Sequence, residues 1–353
     1  MRRVALLAAL AMSAASAARA DEPAPLFNYA GTWNGVVAGG QSKAGTYVHT
    51  LEAGVSAPVS DGWSAVLQGA WTAGAALSPR AIGDVQGVQG AFNSGNGLWL
   101  YELKASYASD AASLQAGRLS SGDAFPGVAG MNQFVNSAFS SNGGAISLND
   151  PGRATPPMAS WGSWGRRRFG EVELRGGAFL SDPARMTLDK HGVDFSFRPT
   201  DGVLAFGEAV APLTDGLRVG LGGYADSARL TAFDGRTARG DQGAYAWIEA
   251  PPADSRPLSG FAMVQVAPRT DRNLEPLFLI GGVTWRRLSF GASAGEFSHE
   301  SPRRGWETTL EANYRQPVTA HLALRPDLQW VISPGGRGGR DALVLGVQIE
   351  AAL

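Results

Sequence analysis

The sequence has 353 residues, no cysteine and a formal net charge of −1, with 47 glycines, 44% apolar residues and 17% charged residues. This composition excludes a small disulfide-stapled scaffold and a disordered polymer, and the near-zero charge gives no reason to expect a nucleic-acid partner. After the first 20 residues no run of about 18 apolar residues occurs, so no helix is expected to span a membrane.

The chain begins "MRRVALLAALAMSAASAARA", with two arginines, a short apolar run and Ala18-Arg19-Ala20. This pattern is typical of a secretory signal peptide with an A-x-A cleavage site. We therefore expect residues 1–20 to be removed and residues 21–353 to form one exported domain.

Stretches in which apolar residues recur at every second position follow along the rest of the chain. In "LWLYELKASYA" one face carries Trp99, Tyr101, Leu103, Ala105 and Tyr107. The other face carries Leu100, Glu102, Lys104 and Ser106. A period of two indicates β-strands, and their length, roughly nine to thirteen residues, is typical of tilted strands that cross a bilayer. The predicted strands are 31–39, 46–57, 62–72, 98–108, 111–119, 158–166, 171–180, 203–211, 216–225, 241–250, 258–267, 277–286, 288–298, 305–315, 320–332 and 341–353.

Sixteen strands are an even number, as bacterial outer-membrane barrels require, and only a closed barrel satisfies strand backbone inside lipid. The connections alternate between short turns and longer loops. The longer ones are 40–45, 73–97, 120–157, 181–202, 226–240, 268–276, 299–304 and 333–340. We predict an all-β fold, a transmembrane antiparallel β-barrel of about sixteen strands with long extracellular loops and short periplasmic turns. Residues 192–198 alternate like a further strand within their loop.

The chain ends on "DALVLGVQIEAAL", in which Leu343 and Leu353 belong to one apolar stripe. We expect this strand to pair with the first one and to turn its stripe toward outer-membrane lipid. Such a C-terminal strand is what the barrel-assembly machinery is expected to recognise, although Leu353 stands where phenylalanine is usual.

Five segments resemble the carbohydrate-selective porins of the OprB type: "YAGTWNGVVAGG", "LWLYELKASYASDAASLQAGRLSSGDAF", "FVNSAF", "APRTDRNLEP" and "LEANYRQPVTAHLALRPDLQWVISPGG". They are collinear across most of residues 21–353, and the last is the most specific. The resemblance implies a sixteen-stranded barrel in the outer membrane of a Gram-negative bacterium that passes small sugars by facilitated diffusion.

The longest predicted loop, 120–157, is expected to fold inward and narrow the lumen that sixteen strands would leave open. It carries hydrogen-bonding side chains suited to a hydroxyl-rich solute. These are Asp123, Asn132, Gln133, Asn136 and Ser137, interleaved with Phe125, Phe134 and Phe139. Arg118, at the base of the loop, is a further candidate for lining the pore. The alternative is a lid held in place by its own phenylalanines.

Alternation also predicts lumen-facing side chains on the strands: Glu102, Lys104, Glu173, Arg175, Glu249, Arg325, Asp327 and Gln329. Both signs of charge occur, which suits a neutral solute better than an ion. The alternative is that these charges only stabilise the wall. Tyr245 and Trp247 share a face with Glu249, where they either stack on sugar or belong to an interfacial girdle on a strand of reversed facing.

The function predicted from the sequence is passive passage of small carbohydrates through a polar lumen. The alternatives are a general or anion-tuned diffusion porin of the same fold and a plugged, non-conducting barrel acting as an adhesin or enzyme. The sequence contains no H-E-x-x-H or Walker motif, and no catalytic residue, metal or cofactor is predicted. The oligomeric state is left open.

Overall fold

The computed structural model describes residues 22–91, 95–140, 144–189, 191–214, 216–253 and 255–353. The predicted signal peptide lies outside these residues. The fold is one antiparallel sheet of sixteen long strands and the two-residue strand β15. The strands are β1 (Ala24–Gly39), β2 (Gly45–Ser60), β3 (Trp63–Gly74), β4 (Gly97–Ala108), β5 (Ala112–Leu119), β6 (Ser160–Phe169), β7 (Val172–Ser181), β8 (Gly202–Thr214), β9 (Leu217–Thr231), β10 (Thr237–Ala250), β11 (Leu258–Val266), β12 (Leu277–Trp285), β13 (Leu288–Glu296), β14 (Trp306–Tyr314), β15 (Gln316–Pro317), β16 (Leu322–Ile332) and β17 (Ala342–Ala352).

Each strand pairs with its neighbours in the chain, and the sheet closes on itself. β1 pairs with β2 on one side and with β17 on the other, in a register that joins Asn28 to Ala352 and Gly39 to Ala342. Because the first and last long strands are paired, the barrel has no open edge between them. The prediction of a closed sixteen-stranded barrel is confirmed.

The strands have one face of exposed apolar side chains and one face of buried polar side chains. In β16, Leu324, Leu328 and Trp330 are exposed, whereas Arg325 and Asp327 are buried. The ladder between β16 and β17 continues without a register shift through the proline between these residues. Exposed apolar side chains suit a wall that faces lipid, and the buried polar ones therefore face the barrel interior.

The predicted facing of β4 is wrong above Glu102. Gln68 of β3 pairs with Glu102 and the next residue of β3 pairs with Leu100, so Tyr101 is an extra residue, a β-bulge. Below the bulge, Leu103 is exposed as predicted. Tyr101 at the bulge and Trp99 above it are instead buried on the inward side. The indole of Trp99 donates a 3.0 Å hydrogen bond to Thr72 inside the barrel.

The connection predicted at 226–240 is much shorter in the structure. β9 runs to Thr231 and β10 begins at Thr237, so only residues 232–236 connect them. Arg229 and Arg239 are exposed and opposite each other in this extension. Charged side chains on the outward face are not expected in contact with lipid. The two strands therefore continue beyond the apolar band.

Three long connections between strands carry short helices or turns. The mouth loop, residues 75–96, joins β3 to β4 and contains a short helical turn, Ser78–Ile82. The inner loop, residues 120–159, joins β5 to β6 and contains α1 (Ile146–Asn149) and the turns Ser121–Asp123, Ala129–Gln133 and Ser137–Phe139. The outer segment, residues 182–201, joins β7 to β8 and contains α2 (Pro183–Leu188); its residues 192–198 are not part of the sheet.

Within the described part of the chain, no helix is both long enough and apolar enough to cross a membrane.

Candidate solute pathway

The inner loop is tied to the inward face of the wall by glutamates that accept hydrogen bonds from its backbone. Gly130 N–H donates to Glu249 Oε1 at 2.6 Å. Val135 and Asn136 donate their N–H groups to the two oxygens of Glu311, each at 2.8 Å. Hydrogen bonds to a carboxylate are stronger than neutral ones, so these contacts hold the middle of the loop against β10 and β14.

The second half of the inner loop is held by β11 and by the connection before β12. Ala145 N–H donates to Gln265 Oε1 at 3.0 Å. Asn149 exchanges two hydrogen bonds with the backbone of Glu275, at 2.8 and 2.9 Å. Burial, and after it the charge of Glu307, raises the pKa of the Glu275 carboxyl well above its usual range.

The phenylalanines of the inner loop are buried and pack on one another and on the wall. The rings of Phe134 and Phe139 stack with centroids 4.4 Å apart, and Phe125 stacks on Phe206 at 4.9 Å. All three belong to one apolar cluster with Phe261. This packing agrees with the interpretation of a lid held by its phenylalanines.

The mouth loop also folds against the inner wall, which the sequence analysis missed. Val85 and Gln86 donate their N–H groups to Glu307 at 3.0 Å, and Gln329 Nε2 donates to the carbonyl of Val88 at 3.0 Å. Its apolar side chains pack on β1, β16 and β17 in a cluster comprising Leu77, Ala81, Ile82, Val88, Val36, Val331, Ala342 and Val344. The sequence does carry a signal for this packing, because large aliphatic residues recur in the segment, whereas a solvent-exposed loop would be mostly polar.

Glu102 and Lys104 lie together on the inward face of β4, at the start of the inner loop. Lys104 Nζ is 2.5 Å from Glu102 Oε1, and both side chains are buried. Asp123 accepts a hydrogen bond from Tyr101 Oη at 2.5 Å. Burial, and after it the nearby Glu102 charge, raises the pKa of Asp123 to about 6.

Glu173 and Arg175 form part of an ion-pair chain across β7, β8 and β10. Arg175 lies 2.6 Å from Glu173 and 2.9 Å from Glu208. Glu208 also accepts a 3.1 Å hydrogen bond from the indole of Trp247.

Glu249 is fully buried on the neighbouring stretch of wall, and Arg218 approaches it to 2.6 Å. Glu208 and Arg218 are not among the lumen-facing residues predicted from the sequence, although Glu208 alternates with exposed residues of β8. Tyr245 and Trp247 face inward and are buried, which agrees with the lumen-facing alternative for their strand.

Arg325 and Asp327 point inward from β16, beside the inner loop. Arg325 Nη2 is 2.7 Å from Glu350, and Asp327 accepts hydrogen bonds from Asn34 and Gln329. Gln329 in turn accepts a 2.9 Å hydrogen bond from the Asn136 side chain of the inner loop.

Arg118 does not lie where the sequence analysis placed it. It stands opposite Leu103 in the ladder between β4 and β5, and Leu103 is exposed on the outward face. The Arg118 side chain is fully buried beneath the outer segment, where Nη1 donates to the carbonyl of Asp194 at 2.6 Å and Nη2 to that of Ala159 at 2.9 Å. Alternation from the exposed Leu114 puts Arg118 on the outer side of the wall, so it does not line the lumen.

A cavity of about 680 Å³ opens between the inner loop and the short-turn end of the barrel. From the inner loop, Asn132, Gln133 and Asn136 line it. The charged side chains around it, among the described residues, are Arg256, Arg286, Arg287, Arg315, Arg325, Glu52 and Glu350. The cavity thus offers amide groups on one side and mainly guanidinium groups on the other.

Among the residues that the structure describes, no group of three or more histidine, aspartate or glutamate side chains is arranged to hold a metal ion.

A model of the carbohydrate-selective porin family OprB matches residues 46–271 and 280–353. No curated protein sequence matches the chain.

Among solved structures, the high-pH structure of Pseudomonas putida OprB is similar to this chain with a TM-score of 0.83 and 21% identity, over 94% of each chain. The low-pH structure of the same protein gives a TM-score of 0.58 at 16% identity, over 94% of this chain and 93% of the other. A mutant of the Rh. blastica porin gives 0.50 at 10% identity, over 93% and 99%. At these identities the likenesses show the fold.

Proposed function

The chain belongs to the OprB family of carbohydrate-selective porins, and from that premise we propose that it passes small carbohydrates by passive diffusion through a lumen narrowed by the inner loop. Porins of this family and fold are channels of the outer membrane of Gram-negative bacteria. The cavity at the short-turn end then opens toward the periplasm.

The observation that carries the proposal is the position of the inner loop's amides. Glu311 holds the backbone of Val135 and Asn136, and the neighbouring Asn132 and Gln133 border the cavity. Primary amides both donate and accept hydrogen bonds, so they suit a solute whose hydroxyl groups do the same. A channel also needs binding weak enough for release, and a few amides on one side of an open cavity meet that condition.

The paired charges of the wall support a neutral solute. Lys104, Arg175 and Arg218 each lie within 3.0 Å of a glutamate oxygen. An arginine already paired with a carboxylate attracts a passing anion less than a bare one does, because the two charges largely cancel. The wall of the narrowed region therefore favours hydrogen bonding over ion selection.

A second candidate, an anion-tuned diffusion porin, is favoured by one observation. Around the cavity, five arginines stand against two glutamates among the described residues. Glu350 is shared by Arg315 and Arg325, at 2.7 Å from each, so a net positive charge remains at the periplasmic outlet. This charge would attract anions at the exit without binding sugar.

The test is single-channel recording in planar bilayers. With mono- and disaccharides added at millimolar concentration, we expect a concentration-dependent decrease in ion current. Replacing both Asn132 and Gln133 by alanine is expected to weaken that block severalfold, whereas the matched variant Gln242→Ala, on the exposed face of β10, should behave as the wild type.

Reversal potentials in a salt gradient distinguish the candidates in the same experiment. Sugar block with weak ion selectivity supports the sugar channel, and strong anion selectivity without sugar block supports the second candidate. Absence of any channel from correctly folded protein would contradict both and indicate a plugged barrel.

A further inference from the structure

The barrel wall has a notch above β5. β5 has only eight residues, because the chain turns inward after Leu119 to form the inner loop. β4 continues six residues higher, to Gly97, than its ladder with β5, which ends at the pair Leu103 and Arg118. The upper part of β4 therefore has an edge that β5 does not cover.

The outer segment covers this edge from outside. The carbonyl of His191 accepts a 2.8 Å hydrogen bond from Leu100 N–H, and His191 Nδ1 lies 2.9 Å from the carbonyl of Leu98. Gly192 follows with φ +68°, and a Cβ there would lie 2.5 Å from the Leu100 carbonyl oxygen. Glycine is needed at this position both for its conformation and for the close approach to β4.

Two outward side chains of the wall fasten the segment. The Arg118 guanidinium donates to the Asp194 carbonyl at 2.6 Å and lies 5.1 Å from the centre of the Phe195 ring. On β6, Trp161 Nε1 donates to the carbonyl of Phe195 at 3.2 Å, and its ring stacks on Phe197 at 5.8 Å.

The irregular backbone of the segment is hydrogen-bonded within the segment itself. Asp189 accepts from the N–H groups of Val193 and Asp194, at 3.1 and 3.0 Å. Asp194 accepts from Ser196 N–H at 3.0 Å, and Arg185 donates to the Ser196 carbonyl at 2.6 Å. Non-helical backbone at membrane depth requires such internal partners, because lipid supplies none.

Large apolar side chains of the segment are exposed on the outward side. Val193 is 56% exposed and Phe197 69% exposed, with Phe195 and Leu188 also exposed. The exposed Arg198 is paired with Asp182 and Asp194. In the ladder, Arg118 is four residues above the level of Leu114, which pairs with Tyr107. Tyr107 packs on Trp63 near the periplasmic turns. Four residues of a tilted strand rise about 10 Å, well inside an apolar band about 25 Å tall.

From these observations we propose that residues 182–189 and 191–201 form a lipid-embedded patch of the outer wall, which closes the notch above β5 and presents Val193, Phe195 and Phe197 to the acyl chains of the bilayer. Arg118 and Trp161 are its positioning residues. The occupant of this surface is lipid because the segment leaves apolar side chains outside and satisfies its own backbone.

Single cysteines test the proposal cleanly, since the natural sequence has none. Phe197→Cys is compared with Leu221→Cys, on the lipid face of β9, and with Arg236→Cys, in the turn between β9 and β10 where the side chain is 77% exposed. A membrane-impermeant maleimide applied to intact cells should label Phe197→Cys at least tenfold more slowly than Arg236→Cys. A fluorophore attached to Phe197→Cys in detergent, followed by reconstitution into vesicles with brominated phospholipid, should be quenched as strongly as one on Leu221→Cys.

Fast labelling of Phe197→Cys without lipid quenching would overturn the proposal, because the segment would then face water. Disulfide-linked dimers of Phe197→Cys without lipid quenching would overturn it as well and would make a second copy of the chain the occupant.

The positioning residues have their own readout. Added to the Phe197→Cys variant, Arg118→Ala should make the labelling of the cysteine fast, and Trp161→Phe replaces it if that variant does not fold. Arg167→Ala, on an exposed part of β6, should leave the labelling slow. Slow labelling in both folded variants would refute the assigned role of Arg118 and Trp161.

Discussion

Tyr101 is one residue more than the ladder between β3 and β4 requires, and it reverses the facing of the residues above it. Trp99 thereby moves from the lipid face to the interior, where it bonds to Thr72. Alternation alone does not reveal such a bulge, because "LWLYE" offers large apolar side chains to both faces. In β16, by contrast, polar and apolar residues alternate strictly, and the facing predicted for Asp327 and Leu328 agrees with the structure.

That facing gives a paired prediction for Asp327 and Leu328. Leu328→Arg places a charge on the lipid face at a cost of about 2–4 kcal/mol, so we expect a lower yield of folded protein in the membrane. Asp327→Asn keeps the hydrogen bonds from Asn34 and Gln329 possible and should fold, changing only ion selectivity or sugar block. Membrane yield and bilayer recording measure the two effects, and the reverse assignment of effects would mean that the register is shifted by one.

A second prediction concerns Asp123, whose pKa is raised to about 6 by burial and by Glu102. The native state binds the proton more tightly than the unfolded chain does, so this residue's contribution to stability is complete below the unfolded pKa, near 4, and is lost as the pH rises through 6. The difference amounts to about 3 kcal/mol at most. We expect the melting temperature of the barrel to be higher at pH 5 than at pH 7.

Asp123→Asn should reduce this pH dependence, because an amide cannot ionise yet still accepts a hydrogen bond from Tyr101. Asp110→Asn, in the exposed turn after β4, is the matched control. An unchanged slope between pH 5 and pH 7 in Asp123→Asn would show that the dependence comes from other groups.

At the scale of elements, the sixteen long strands could be predicted because a two-residue period in a wall between lipid and a polar interior must persist over the whole thickness of the membrane. The path of the loops could not, because the same apolar residues fit a core or an outward surface equally well. Phe125 and Phe139 lie inside the barrel, whereas Phe195 and Phe197 lie outside it. What separates the two cases is the direction in which the chain leaves the sheet, which is inward after Leu119. That direction is a property of the assembled sheet.

The inner loop gives the third prediction. Replacing residues 128–140 by a short Gly-Ser linker removes the segment that Glu249 and Glu311 hold, so we expect single-channel conductance to increase on the order of twofold or more and sugar block to weaken. The same linker in place of residues 232–236, the turn beyond β9, should leave both unchanged.

If the deletion prevents folding, Glu311→Gln provides a milder variant. The amide has only one acceptor oxygen, so one of the two hydrogen bonds to the loop is lost and the other no longer involves a charge, which should increase fluctuations of the open current. A folded deletion with wild-type conductance would contradict the constriction by the inner loop.

At the scale of the whole molecule, the wall is uneven. β8, β9 and β10 have 13 to 15 residues and rise beyond the apolar band, whereas β5 has eight. Length variation of this kind is invisible to a pattern that records only facing, which is why residues 226–240 were assigned to a loop. Closure of the sheet was nonetheless predictable, because strands in lipid tolerate no free edge.

Closure leads to the fourth prediction. A continuous ladder around the barrel should resist detergent until heated, so unheated samples should migrate faster on SDS gels than boiled ones and should fractionate with the outer membrane. The circular dichroism spectrum typical of β-strands should disappear on the same heating. Identical migration before and after boiling, together with a helix-rich spectrum, would contradict a closed barrel.

The pairing of β1 with β17 has a kinetic consequence. It joins the two most distant strands of the described chain, whereas every other long strand can pair with a neighbour already beside it. Contacts of such sequence separation carry the largest loop-closure entropy and form slowly. During assembly the nearly complete sheet must therefore persist with two unpaired edges, which attract other strands. Once the seam has formed, opening the barrel requires breaking at least one complete row of hydrogen bonds between strands, so closure lengthens the lifetime of the folded barrel.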